Sequence, residues 1–250
     1  MDIEFVSNKL NKAVAELKGP FGLYVNFLSN NNEIKINENV QFWAASVVKL
    51  PIACVVYKNI SDLTKRIKIK PENYVEGTGV IKLLDRSDEF TIKDLLNLMV
   101  AATDNTATNE LVDLVGRESI ESYMKELGMK DSTFRHKMFI SAGLGPNLTT
   151  VADVHTLLIK LYRNEIADAA ELVGIMKKQQ DRRYMPLYLP NDILLAHKTG
   201  SLTDGIHDVG IVYAKKPFIF VFLSDDQPDK LETARVVSQC TKICFDYANQ

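Results

Sequence analysis

The chain has 250 residues, 46% of them hydrophobic and 25% charged, with a formal net charge of −2. That length buries a full core in one domain or in two intimately packed subdomains, and the near-neutral balance removes any electrostatic ground for expecting nucleic acid or an anionic membrane as partner. The longest apolar runs, such as Phe218 to Leu223, fall far short of the roughly 18 residues that a bilayer span requires.

The opening Met1-Asp2-Ile3-Glu4-Phe5 is acidic at once and does not read as a secretory signal, so the expected location is the cytoplasm, or the chain is a trimmed form of an exported protein. Apolar residues at Ile3, Val6, Leu10, Val14 and Leu17 have helical spacing, and Gly19-Pro20 ends that helix. Residues 21 to 28 and 33 to 36 read as two strands around the turn Ser29-Asn30-Asn31-Asn32. From Ser46 to about Lys177 the texture is helical with short polar joints. Thr91 caps a helix through Leu95 and Met99, Asn105 opens another through Leu111 and Leu114, and residues 118 to 127 form a third. Thr149-Thr150 caps a further helix carrying Leu157, Leu158 and Leu161.

After Pro190 three strand-like runs return, at 193 to 199, 207 to 213 and 218 to 223, before a last helix with Leu231, Val236, Val237 and Ile243. Cys54, Cys240 and Cys244 lack paired spacing and read as core cysteines. The expected fold is α/β in the α+β sense. One antiparallel sheet forms from both chain ends under the terminal helices, with a central all-helical lobe. The chain then forms a single domain, residues 1–45 plus 178–250 making the sheet subdomain and 46–177 the helical one. A cleft between them is the natural ligand site.

Three short motifs could carry chemistry. Ser46-Val47-Val48-Lys49 stands where the texture turns from strand to helix, which puts Lys49 one turn after Ser46 on the same face. An amine there can take the serine proton once its pKa falls from about 10.4 by roughly 3, about 4 kcal/mol of environment, and Lys198 is a candidate neighbour for that effect. The spacing alone is weak, since Ser122-Tyr123-Met124-Lys125 repeats it within an amphipathic helix, where it reads as a solvated face. Thr103-Asp104-Asn105, between two helices, is either a plain N-cap or part of a polar site. Lys198-Thr199-Gly200-Ser201 is either an edge strand with a protective lysine or a grip for a carboxylate.

In order and context, the three resemble the S-x-x-K, S-D-N and K-T-G motifs of class A β-lactamases and penicillin-binding proteins, most closely the class A branch. The resemblance runs over nearly the whole chain. It implies Ser46 as the acylated nucleophile, Lys49 as proton acceptor and the Thr103 hydroxyl as proton relay to the leaving nitrogen. It implies Asn105 as holder of the substrate's side-chain amide, Lys198 and Thr199 as carboxylate ligands, and the backbone N–H groups of Ser46 and Ser201 as the oxyanion hole. No metal or cofactor is implied. The expected partner is a small β-lactam or D-alanyl peptide-like molecule, and the chain is expected to be a monomer.

The departures point further. Class A enzymes carry a loop glutamate that activates water for deacylation, yet residues 132 to 152 contain neither Asp nor Glu. Asn147 resembles the asparagine that helps hold that water, and His136 is the one base there that could substitute. No arginine occurs from Tyr184 to Ala234 to support the carboxylate, which leaves Arg182 and Arg183 either reaching in from the preceding loop or on the solvated surface. His155, His197 and His207 read as structural or surface residues. The expected activity is β-lactam opening with impaired deacylation. The alternatives are a D,D-peptidase or esterase-like enzyme, or a penicillin-binding sensor that stays acylated.

Overall fold

The computed structural model describes residues 2–86, 88–141 and 143–250. Asp2 caps helix α1 (Ile3–Val14) by accepting the Glu4 N–H. Regular helix stops at Val14 rather than near residue 18, and the chain crosses Gly19-Pro20 into the hairpin β1 (Phe21–Phe27) and β2 (Asn32–Ile36). A two-residue strand β3 (Phe42–Trp43) leads into a 3₁₀ turn at Ala45–Val48 and then α2 (Lys49–Asn59).

Strands β4 (Arg66–Lys68) and β5 (Glu89–Thr91) form a small ribbon ahead of α3 (Ile92–Ala101), where Thr91 and Asp94 close a capping box. Asp104 caps α4 (Asn105–Val115), and α5 (Arg117–Glu126) follows. The exposed Ser122 and Lys125 sit inside α5, the solvated face expected of them. Strand β6 (Leu148–Thr149) pairs with β3, Thr150 caps α6 (Val151–Tyr162), and α7 (Ala169–Met176) ends the helical block. Strands β7 (Leu195–Ser201), β8 (Ile206–Val212) and β9 (Phe218–Ser224) precede the long α8 (Lys230–Ala248).

The five-stranded sheet has the order β2-β1-β9-β8-β7 with every pair antiparallel, so strands from both chain ends meet at the β1–β9 seam as the sequence implied. Its period-two alternation divides two cores. Leu23, Val25, Phe27, Phe218, Phe220 and Phe222 pack with Val6 and Leu10 of α1 and with Val236, Val237, Cys240 and Cys244 of α8. Tyr24, Ile219, Val221 and Leu223 face the other way, onto a core continuous with α2, α3, α4 and α6. Strand β9 is apolar on both faces because it is covered on both. Each of these fully buried aromatics and aliphatics contributes about 1.5–3 kcal/mol, enough to fix which face of β7 meets the helices. Cys54, Cys240 and Cys244 are free and buried, the core role read from sequence.

Candidate active site

The 3₁₀ turn holding Ser46 abuts the end of β7, and the joint between α3 and α4 closes over them. A solvent-open cleft of about 370 Å³ results, lined by Ser46, Thr78, Thr103, Thr199 and Ser201 on one side and by residues 179–183 on the other. All three motifs therefore converge. Strand β7 is indeed an edge of the sheet, yet Lys198 is completely buried, because alternation turns it with Ala196 toward the helices. The protective-edge reading of that lysine does not hold.

Lys49 is also completely buried, and its Nζ donates to the Thr103 carbonyl and to Asn105 Oδ1, both at 2.8 Å. Burial pushes its pKa well below the ordinary 10.5, and the nearby Lys198 pushes the same way, against an opposing pull from Asp104. A neutral amine has two hydrogens and one lone pair. In that neutral form both hydrogens would go to these two acceptors, leaving the lone pair as what Lys49 could offer. Lys198 donates to Thr103 Oγ1 and to the Thr199 carbonyl, again at 2.8 Å, and burial brings its pKa down to about 7 against the attraction of Asp208 and Asp181. With Thr103 Oγ1 accepting from Lys198, the hydroxyl proton of Thr103 is free to be given elsewhere.

Within or next to the three motifs, Ala45 (φ 43°) just before Ser46 and Thr103 (φ 57°) between the two lysines are held in left-handed backbone conformations. Such conformations cost a non-glycine residue about 1–3 kcal/mol and persist where the surroundings over-determine them. At Thr103 the carbonyl is taken by Lys49 and the hydroxyl by Lys198. Asp104 is more than an N-cap. Besides the Ala107 N–H, its carboxylate accepts the N–H groups of Val80 and Ile81, which fastens the 77–81 turn beside the cleft.

Below the nucleophile the support comes from residues that sequence reading left as structural. His207 is fully buried and accepts the Ser224 N–H at Nδ1, so Nε2 carries the proton and donates to the Trp43 carbonyl at 2.6 Å. Asp225 accepts the Trp43 N–H at 2.9 Å, and the peptide groups on both sides of Trp43 are thereby gripped three residues before Ser46. A Cβ on Gly200 would lie 2.9 Å from the His207 ring and 3.2 Å from Ala45 Cβ, so glycine there lets β7 close onto the Ser46 turn. His197 pairs with Asp208 at 2.8 Å inside the sheet, and His155 stacks on Tyr24. Both are the structural residues expected.

The loop between α5 and β6 is pinned by side chains. Asn147, read from sequence as a water holder, spends its amide on the N–H groups of Arg135 and His136 and on the His136 carbonyl, and so ties the loop's neck. Asn109 takes the N–H and carbonyl of Met138, and Lys137 reaches Asn73 and Asp113. Sequence reading missed Asn109, although its position four residues after Asn105 puts both on one face of α4. It also missed Lys230, at the first turn of α8, whose Nζ donates to Ser201 Oγ at 3.0 Å and to the Leu202 carbonyl at 2.6 Å. Of the two candidate arginines, Arg183 is exposed and makes a two-pronged pair with Asp181, while the exposed Arg182 lines the cleft.

An α+β fold whose cleft joins a serine at a helix start, a threonine hydroxyl bonded to one of two buried amines and a lysine-bearing edge strand has the makeup of a β-lactamase-like serine hydrolase. The model of the Beta-lactamase enzyme family matches residues 5–248, and the chain belongs to that family. It is 25% identical to β-lactamase VEB-1 of Pseudomonas aeruginosa over 249 residues, covering 87% of this chain and 83% of that one. The crystal structure of a β-lactamase from Sphaerobacter thermophilus superposes with a TM-score of 0.91 at 27% identity, over 99% of this chain and 98% of the other. The structure of PBP-A shares the fold, with a TM-score of 0.89 at 20% identity over 97% and 95% of the two chains.

Proposed function

We propose that the protein opens β-lactam amides by forming an acyl-enzyme at Ser46, and that hydrolysis of this ester is slow. The observation that carries the reading is the pair of fully buried amines, Lys49 and Lys198, bonded to the two oxygens of Thr103. In the proposed sequence Ser46 Oγ attacks the carbonyl carbon and its proton passes to the Lys49 lone pair. The oxyanion is held by the N–H groups of Ser46 and Ser201; loss of one such donor typically costs about 3 kcal/mol. Collapse breaks the C–N bond, and the nitrogen takes its proton from the Thr103 hydroxyl, which regains one from the Lys198 ammonium that donates to its Oγ1. Asn105 orients the acyl amide, Lys198 and Thr199 take the carboxylate, and Lys230 adds positive charge beside Ser201.

Hydrolysis then needs a base for water. The loop segment facing Ala45 contributes Met138, Phe139 and Pro146, with no carboxylate. Among the described residues of that wall His136 is the ionisable one, and its Nδ1 is engaged with the Lys137 carbonyl. The same loop favours one alternative, a penicillin-binding sensor that stays acylated, and adduct lifetime separates the two. The direct test of the nucleophile is intact mass after mixing with excess benzylpenicillin. The expected gain is one whole penicillin on the Ser46 peptide and none in Ser46→Ala; labelling that persists in the variant overturns the assignment.

A further inference from the structure

The three residues ahead of the nucleophile are held from three directions. Trp43 gives its N–H to Asp225 Oδ2 at 2.9 Å, and its carbonyl accepts the Nε2–H of His207 at 2.6 Å. Ala44 gives its N–H to the Asn147 carbonyl at 2.7 Å, and its own carbonyl accepts the Val47 N–H at 3.0 Å. Ala45, with φ 43°, follows these fixed peptide groups and leads directly into Ser46. An alanine stays in the left-handed region only under constraint. Rotating it back would swing either the Ser46 N–H or the bonded groups of Trp43 and Ala44 out of place.

Of these three partners His207 alone sits inside the sheet, fully buried on β8 and opposite Gly200 of β7. Its Nδ1 accepts the Ser224 N–H at the end of β9, which fixes the orientation of the ring. Burial pushes its pKa below the ordinary 6.5, so the neutral ring has one N–H, and that N–H goes to Trp43. A Cβ on Gly200 would meet both this ring and Ala45, so β7 packs against the two together. One side chain therefore links three strands to the turn that carries Ser46. We propose that His207 is a positioning residue for acylation: its Nε2–H holds the Ser46 turn against β7, so that Ser46 Oγ and the backbone N–H groups of Ser46 and Ser201 keep one fixed geometry. The inference rests on the acyl-enzyme reading above and concerns its chemical step. Lys198 and Thr199 are fixed by β7 itself, and Lys198 also by Thr103, so losing the hold should slow acylation without weakening binding.

Two substitutions separate the two nitrogens of the ring. His207→Gln carries an amide N–H at about the reach of Nε2, whereas His207→Asn offers an acceptor near Nδ1 and no donor that reaches Trp43. The readouts are the limiting rate of adduct formation from benzylpenicillin, the concentration that gives half of it, and the thermal midpoint. His207→Gln should keep the limiting rate within about threefold. His207→Asn should lower it about thirtyfold, the scale of one strained backbone conformation released, with the half-saturating concentration changed less than about twofold. Asp225→Ala removes the hold on the other side of Trp43 from a half-buried position and should lower the limiting rate about fivefold. Trp43 is the only tryptophan, so its fluorescence anisotropy decay reports the hold without any chemistry. Segmental motion should appear in His207→Asn and be absent from His207→Gln. Equal limiting rates in the two variants, or a loss that follows the thermal midpoint and raises the half-saturating concentration, overturns the inference and leaves the acyl-enzyme reading intact. Should neither histidine variant fold, Asp225→Ala decides: a lowered limiting rate upholds the hold on Trp43, and an unchanged one overturns it. Anisotropy that separates the variants, with no adduct even in the unsubstituted protein, upholds the hold and sinks the acyl-enzyme reading.

Discussion

The floor of the cleft and the loop that borders it are built on opposite principles. On the floor, Lys49, Thr103, Asn105 and Lys198 are buried and polar, and each is bonded to another member of the set or to its backbone. The loop's backbone is held by amide side chains, its own Asn147 at the neck and Asn109 of α4 at Met138. What the loop turns toward the cavity beside Ala45 is mostly apolar. The floor buries two amines around one threonine, whereas the described loop residues that line the neighbouring cavity include no carboxylate. The contrast predicts a protein whose acylation is served by fixed groups and whose deacylation is not.

The largest effect should come from breaking the floor. Lys49→Met keeps the length of the side chain but removes the lone pair, and acylation should fall about a thousandfold, the scale of a lost general base. Stopped-flow adduct formation measures it, with circular dichroism and the thermal midpoint reporting that the variant keeps the fold. A fall of less than tenfold would take the proton-acceptor role away from Lys49.

Next is an attempt to give the loop what it lacks. Met138 is held at both its N–H and its carbonyl by Asn109, so a glutamate there inherits a fixed starting direction in the cavity wall. Met138→Glu should shorten the adduct lifetime by about a hundredfold while changing acylation little. An unchanged lifetime would place the barrier to deacylation elsewhere than in a missing base.

The smallest effect concerns charge. Lys198, held near 7 by burial instead of its ordinary 10.5, loses its proton in the free protein as pH rises through neutrality. The cation proposed to grip the carboxylate is therefore present well below pH 7, half lost near 7 and mostly gone by pH 8.5. The apparent affinity for a penicillin should weaken roughly tenfold between pH 7 and pH 8.5, while its carboxylate methyl ester shows no such decline. The concentration dependence of acylation at each pH provides the check, and parallel curves for acid and ester would contradict it.

What could be read from the sequence follows from how locally each feature is encoded. The motifs were legible because Ser46 sits at a change of texture, Thr103 at a joint between helices and Lys198 on a returning strand, all in one order, and the sheet was legible because period-two runs at both chain ends needed partners. The reach of α1 was overestimated, since Leu17 keeps helical spacing after the regular helix has ended at Val14. The β3–β6 ribbon, two residues a side, is too short for periodicity to reveal. The supports of the site were invisible for a different reason. His207 and Asp225 grip Trp43 from more than 160 residues away, and Lys137 meets Asn73 and Asp113 only after folding. Asn147 misled because its residue type suits either holding water or tying a loop, and only the backbone geometry of Arg135 and His136 decides between them.

The contrast between floor and loop is tested most directly by following a single acylation to its end. The protein is loaded with benzylpenicillin, freed of excess drug by rapid desalting, and its intact mass is recorded with time. The adduct should form within the mixing period and outlast it by far, with about one drug molecule consumed per protein before turnover slows. Rapid hydrolysis of many equivalents with no adduct accumulating would mean that water is activated efficiently at this site, and the account of the loop would be wrong.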